Sequence, residues 1–297
     1  VALFLATIVT TLLAGFEQSD LREHARTLSN VVRGGLPFAG TLVAILFTHE
    51  MGHYVLARRH GVQTTLPYFI PVPFGAGTLG AVIRMRSVIP SRRAVLDIGA
   101  AGPLAGLAVA VPLYLVGLSL SEVHTAPTAQ SPLSMSLLSM IRTLVSGESL
   151  FPEAATVPQF FGESLITWAA RWLVVGRLQP GTDVFLHPVA VAAWIGLLVT
   201  TLNLAPVGQL DGGHVLYALF GRRRALLVAR LVSLGLLLAG LFVSWNWFLW
   251  WLLSRFVVGL GHPPALQEEE LGGGRRAVAW ASLALFVATF VPVPVSF

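Results

Sequence analysis

Leu42-Val43-Ala44-Ile45-Leu46-Phe47-Thr48-His49-Glu50-Met51-Gly52-His53 puts three ionisable side chains at the end of an apolar run, within a stretch, residues 36–58, long enough to cross a membrane. Ionisable groups are costly in hydrocarbon, and where a chain keeps them there they mark a functional site. On a helix His49 and His53, at i and i+4, stand about 40° apart around the axis and one turn apart along it, so both imidazoles reach one metal ion. Glu50 lies about 100° round from His49, close enough to reach a water at that ion without being a ligand. That is the geometry of a zinc hydrolase helix. With 8 histidines in 297 residues, chance produces the HExxH spacing in roughly 1% of such chains.

The rest of the chain agrees with a membrane setting. Of its residues 55% are hydrophobic and only 11% charged, with a mean hydropathy of +0.76, whereas a soluble domain carries about 25% charged residues. Apolar stretches recur at 1–16, 36–58, 94–120, 187–206, 224–243, 245–261 and 277–296. They predict an all-α polytopic membrane protein of six or seven helices. The count depends on whether the Trp-rich sixth run, with Trp245, Trp247, Trp250 and Trp251, spans or only anchors at the interface. Residues 1–297 read as one domain: a core at 36–120 and 187–220, an insertion at 121–186, and C-terminal helices at 221–297. Val1 to Phe16 reads as a span rather than a signal peptide, having no basic flank.

The chain has no cysteine, which excludes disulfides, thiolate nucleophiles and Cys-ligated metals, so any metal is held by His, Asp or Glu. Its net charge of +5 comes from 19 basic residues, all arginine. Arg58, Arg59, Arg84, Arg86, Arg92 and Arg93 lie between the second and third spans, and Arg222, Arg223 and Arg224 follow the fourth. Short cytoplasmic loops are enriched in arginine, so these two loops are expected on the cytoplasmic side. The basic excess then reports orientation rather than a nucleic-acid partner. Counting about 1.5 Å per residue, His49 lies about 15 Å from Arg59, within the membrane but toward the cytoplasm.

Residues 121–186 carry Arg142, Arg171 and Arg177 against Glu122, Glu148, Glu153, Glu163 and Asp183, and fit the opposite side. Leu133 to Val145 and Leu165 to Leu178 have helical periodicity with few charges. They read either as helices on the membrane surface or as part of a poorly ordered linker.

A catalytic zinc site needs a third protein ligand. The fourth span ends in Asn203-Leu204-Ala205-Pro206-Val207-Gly208-Gln209-Leu210-Asp211-Gly212-Gly213-His214. Pro206 breaks the helix, and irregular backbone at membrane depth is tolerated where protein or a water-filled cavity surrounds it. Asp211, beside that break, is the expected ligand. Of the competing acids, Asp97 is expected to pair with Arg92 and Arg93, while Glu17, Asp20, Glu23 and Asp183 fall on the far side. His214 reads as a donor to the ligands, a substrate contact, an alternative ligand, or a histidine at a helix start.

Pro67 to Ser87 is too broken by Pro and Gly for a helix. Leu79 to Arg86 alternates loosely like a strand, either an edge that binds an extended substrate by strand addition or a re-entrant loop that only packs. Gly102-Pro103-Leu104-Ala105-Gly106 is a small-xxx-small pattern for close helix packing. Arg255 is expected to snorkel or pair. Glu268 to Gly274 forms the one low-complexity stretch.

His49-Glu50-Met51-Gly52-His53 together with Asn203, Pro206 and Leu210-Asp211-Gly212-Gly213 resembles the site-2 protease family of intramembrane zinc metalloproteases, peptidase family M50. The resemblance extends to Gly77-Thr78-Leu79-Gly80-Ala81-Val82-Ile83-Arg84 and Ala101-Gly102-Pro103-Leu104-Ala105-Gly106. Leu66-Pro67-Tyr68-Phe69-Ile70-Pro71-Val72-Pro73 and the spelling of the 206–214 segment look like the bacterial, cyanobacterial and plastid branch. No segment suits a PDZ domain. The resemblance implies one Zn²⁺ on His49, His53 and Asp211, Glu50 as the base that activates water, and Asn203 at the substrate or transition state. It also implies a transmembrane protein substrate in the lipid bilayer, cut in regulated intramembrane proteolysis; the arginine-only basic content, which hints at a GC-rich genome, favours a bacterial plasma membrane over an organelle. Two other classes fit the residues: a transporter or metal carrier, which has no need of Glu50, and a catalytically silent membrane scaffold.

Overall fold

The apolar runs fold as helices, and several of their ends fall where capping residues and prolines put them. A computed structural model describes residues 1–125, 136–146 and 160–296. Its helices are α1 (Ala2–Glu17), α2 (Leu28–Arg59), α3 (Arg92–Ser119), α4 (Leu137–Ser146), α5 (Leu165–Val174), α6 (Pro188–Asn203), α7 (Asp211–Phe242), α8 (Trp245–Leu253) and α9 (Gly273–Thr289). Thr27 caps α2 by accepting from the Asn30 N–H at 3.3 Å, and Ser91 caps α3 by accepting from Ala94 at 3.2 Å. Pro188 opens α6, where its missing N–H has no partner to lose, and Pro206 keeps the helix from continuing past Asn203. By length and composition α2, α3 and α7 are long and apolar enough to cross a membrane, while α1, α4, α5 and α6 are shorter apolar helices.

Helix α7 is two helical stretches. Gly221 breaks it with φ 76° and ψ 172°, a conformation that a side chain rarely adopts. Beyond the break Ala225 and Val228 pack beside Leu216, Tyr217 and Val95, so the chain folds back on itself there. Arg222 to Arg224 follow that break.

Helix α3 is central, packed against α2, α6, α7 and α9. Ile45, Leu107, Ala110, Tyr114, Trp194 and Leu197 fill the space between α2, α3 and α6. Small residues set the approach: a Cβ on Gly117 would strike the Ala190 backbone of α6.

Among the described residues, three two-stranded antiparallel ribbons join the helices. In the first, β1 (Tyr68–Pro71) pairs with β2 (Thr78–Val82) in the register Tyr68 to Val82 and Phe69 to Ala81. The pairing runs on past the strands, with Thr65 N–H donating to the Arg84 carbonyl at 3.1 Å and Arg86 N–H to Gln63 at 2.7 Å. The strand expected over 79–86 is therefore regular only to Val82 and irregular beyond. Strands β3 (Glu122–Thr125) and β5 (Thr182–Phe185) pair at the ends of the insertion, and β4 (Phe160–Phe161) pairs with β6 (Val295–Ser296).

Several expectations change. Asp97 does not pair with Arg92 or Arg93. The start of α9 brings Arg275 onto it, with Nε and Nη2 at 2.8–3.1 Å, and His60 Nε2 lies 2.9 Å away. Arg92 instead donates to the Ala218 carbonyl at 2.6 Å, and Arg93 pairs with Glu269 at 3.2 Å. The helix expected over 133–145 is seen as α4; residues 126–135, like Glu148 and Glu153, lie outside the described residues. The one expected over 165–178 stops at Val174. The sixth run is helical to Leu253 and then forms a π turn, Ser254–Val258.

Candidate active site

Helix α2 carries His49 and His53 inward, 3% and 6% exposed, against the middle of α3. Their Nε2 atoms are 3.2 Å apart, and each is 3.3 Å from Asp211 Oδ2. A tetrahedral zinc with bonds of about 2.0 Å has ligand atoms about 3.3 Å apart, so the triangle matches one face of such a site. His53 Nδ1–H donates to the Ile98 carbonyl at 2.8 Å, which leaves Nε2 bare and fixes the ring plane. Two imidazoles and a carboxylate are a donor set that suits zinc.

The room for these rings comes from glycine on α3. A Cβ on Gly102 would overlap the His53 imidazole, one on Gly106 would sit 3.1 Å from His49 Nδ1, and one on Gly99 would sit 2.6 Å from the His214 Cβ. The small-residue pattern read as close helix packing is therefore also the bed on which the histidines lie.

Asp211 is the first residue of α7, where the helix dipole favours a carboxylate. The connector from α6 is tightly turned: a Cβ on Gly212 would strike the Leu204 carbonyl. Pro206 sits in this turn, buried, so the broken backbone is enclosed by protein. Asn203, the last residue of α6, puts its amide 3.3 Å from His49 Nε2, at the edge of the ligand triangle.

Glu50 is 7% exposed and lies beside the triangle without being one of its three ligand groups. The Ile83 backbone, just past β2, faces its carboxylate. These groups open onto a cavity of about 800 Å³, walled on one side by Ala81 to Met85 and on the other by Pro263 to Ala265. His49, Glu50, His53, Asn203, Asp211 and His214 all line it, so the residues expected at the metal and the substrate are in one place. His214 does not belong to the ligand triangle; its Nδ1 is 2.6 Å from His262 Nε2. His262 escaped the sequence reading, and its one signal there is the His-Pro-Pro run in an otherwise apolar loop.

A family model described as peptidase family M50 matches residues 37–244. Among curated proteins, the Arabidopsis thaliana protein named probable zinc metalloprotease EGY2, chloroplastic, is 29% identical over 282 residues, covering 94% of this chain and 45% of its own. The Arabidopsis thaliana protein named EGY1 is 32% identical over 88% of this chain and 44% of its own, and the Oryza sativa EGY1 is 32% identical over 88% and 41%. The chain thus spans less than half the length of these relatives. No solved structure matches it. The M50 match contains both the histidine pair of α2 and the aspartate that opens α7, and the chain belongs to peptidase family M50, the site-2 protease family.

Proposed function

We propose that the chain is a polytopic intramembrane zinc metalloendopeptidase that hydrolyses peptide bonds of transmembrane substrates. The observation that carries this reading is the His49–His53–Asp211 triangle with Glu50 beside it, opening onto a cavity walled in part by a strand edge that is unpaired among the described residues. His49, His53 and Asp211 would hold the ion through Nε2, Nε2 and Oδ2. When bound, zinc supplies Lewis-acid polarisation of the scissile carbonyl and acidifies the attacking water. Glu50 accepts that water's proton and passes it to the leaving amine. Asn203 places its amide near His49 as a donor to developing negative charge on the carbonyl oxygen.

A peptide bond in a helix is shielded by its own hydrogen bonds, so the substrate must be unwound first. Among the described residues strand β2 pairs only with β1, and its continuation through Ile83 faces Glu50, which supports docking of an extended substrate along this edge. The site belongs to the core at 36–120 and 187–220, in one domain spanning 1–297, with six or seven membrane helices. The arginines at the end of α2, the start of α3 and beyond Gly221 support a site on the cytoplasmic side; a bacterial plasma membrane is the membrane we propose. The described part of the insertion then lies on the opposite face, where α5 turns Leu165, Trp168, Ala169, Trp172 and Leu173 outward, a side that suits the lipid interface.

The test is cleavage of a labelled transmembrane peptide by the full chain in liposomes, before and after chelation and zinc return. Cleavage that stops with chelation and resumes with zinc is expected. Zinc flux without cleavage would instead favour a metal carrier, and cleavage that survives chelation would remove the metal from the reaction.

A further inference from the structure

The segment joining α8 to α9 reads Gly259-Leu260-Gly261-His262-Pro263-Pro264-Ala265-Leu266-Gln267. Two consecutive prolines forbid a helix here and hold His262 in extended backbone. The segment is a strap tied at several points to the helix ends that carry the site. Ala265 N–H donates to the Tyr217 hydroxyl at 2.9 Å, and that hydroxyl donates to Glu268 at 2.6 Å. Gln267 N–H donates to the Pro90 carbonyl at 3.1 Å, while Arg92 N–H donates to the Gln267 carbonyl at 3.0 Å.

His262 is the strap's inward residue, 7% exposed. It stacks on the Tyr217 ring at 4.3 Å with 9° between planes, and meets the His214 ring edge-on at 4.7 Å. Its Nδ1 is 2.6 Å from the Pro263 carbonyl and its Nε2 is 2.6 Å from His214 Nδ1.

These contacts determine where the protons are. A carbonyl only accepts, so His262 Nδ1 carries hydrogen. Burial holds His262 below the ordinary imidazole range, so at neutral pH its Nε2 is a bare acceptor. His214 must then donate through Nδ1, and its neutral ring presents a bare Nε2. Among the described residues His214 Nε2 has no hydrogen-bond partner in the protein, and His214 lines the cavity one turn of α7 beyond Asp211. Gly99 lies against its Cβ, so α3 confines the ring from behind.

We propose that His262, held by the Pro263 carbonyl, fixes His214 in the Nδ1–H tautomer so that His214 Nε2 is a preset acceptor for a backbone N–H of the peptide in the cleft. His214 is then a substrate-contact residue and His262 its positioning residue. The assignment deepens the protease reading and rests on it for the identity of the donor.

Two readouts on the full chain in detergent test it. The first is long-range ¹H–¹⁵N correlation on histidine-labelled protein, with His214 assigned through His214→Asn. The expected result is His214 as the Nδ1–H tautomer, changing to a mixture in His262→Ala. The second is cleavage of a labelled transmembrane peptide, with zinc content and thermal unfolding measured in parallel. His262→Ala is expected to lower kcat/KM by about 10–100-fold with zinc retained, the range for losing an orienting partner. His262→Asn, whose carbonyl accepts from His214 Nδ1–H, is expected to recover most of that loss, and His262→Leu none of it. An Nε2–H tautomer in the wild-type chain overturns the proposal, as does His262→Ala cleaving at the wild-type rate. A wild-type chain that shows the expected tautomer and cleaves nothing overturns the protease reading and leaves the histidine pair standing.

Discussion

The two ends of the helix bundle are built differently. At the end holding the metal site, loops far apart in sequence are tied by polar contacts: Gln63 to Arg86, Pro90 and Arg92 to Gln267, Tyr217 to Glu268, and Arg275 to Asp97. At the other end, α5 turns its apolar side outward while Thr167 and Ala170 face in, and all four residues of β3 are exposed. One end is held by backbone and side-chain hydrogen bonds between its loops. The other turns apolar side chains outward, with Arg171 of α5 paired to Glu163. The contrast teaches where chemistry is sensitive to substitution and where it is buffered.

The sharpest break in that contrast comes from the ligands. Asp211→Ala or His53→Ala leaves two of three protein ligands, and the purified variant is expected to lose its zinc and all cleavage, read by elemental analysis and peptide assay. Next is Gly102→Ala. Its methyl overlaps the His53 ring, so the helix pair must part, at about 1–3 kcal/mol, and zinc content should fall with activity. Gly40→Ala on α2, where an added methyl meets nothing, should change neither, which separates the close approach from glycine content. Asn203→Ala should bind zinc normally and lose about 10²-fold in kcat, as expected for removing one donor to a developing oxyanion.

At the far end the effect should be small. Trp168→Ala with Trp172→Ala removes two exposed rings, and in detergent cleavage should stay within about twofold, since surface changes of this kind are worth about 0.5 kcal/mol. A large loss there would show that α5 communicates with the site and would erase the contrast.

Legibility in the sequence follows the same division. His49, Glu50 and His53 were readable because their geometry is fixed by one helix, and periodicity alone brings them together. Asp211 was readable because Pro206 breaks the chain beside an acid on the same side of the predicted topology. His262 was not: its role arises from a strap meeting α7, a contact that no local pattern encodes. Asp97 misled for a related reason. Arg93 is its i−4 neighbour on α3, yet Arg275 arrives from another element with two nitrogens on one carboxylate. The glycines of α3 announced close approach, but only the packed structure says that what approaches is imidazole.

The central claim is that Glu50 takes the proton from water beside a metal held by His49, His53 and Asp211. It is tested most directly by measuring zinc content and transmembrane-peptide cleavage on the same preparation of Glu50→Gln. The account predicts about one zinc per chain, as in the wild type, with cleavage abolished, since an amide keeps the shape but accepts no proton. Cleavage at the wild-type rate by zinc-loaded Glu50→Gln would contradict it.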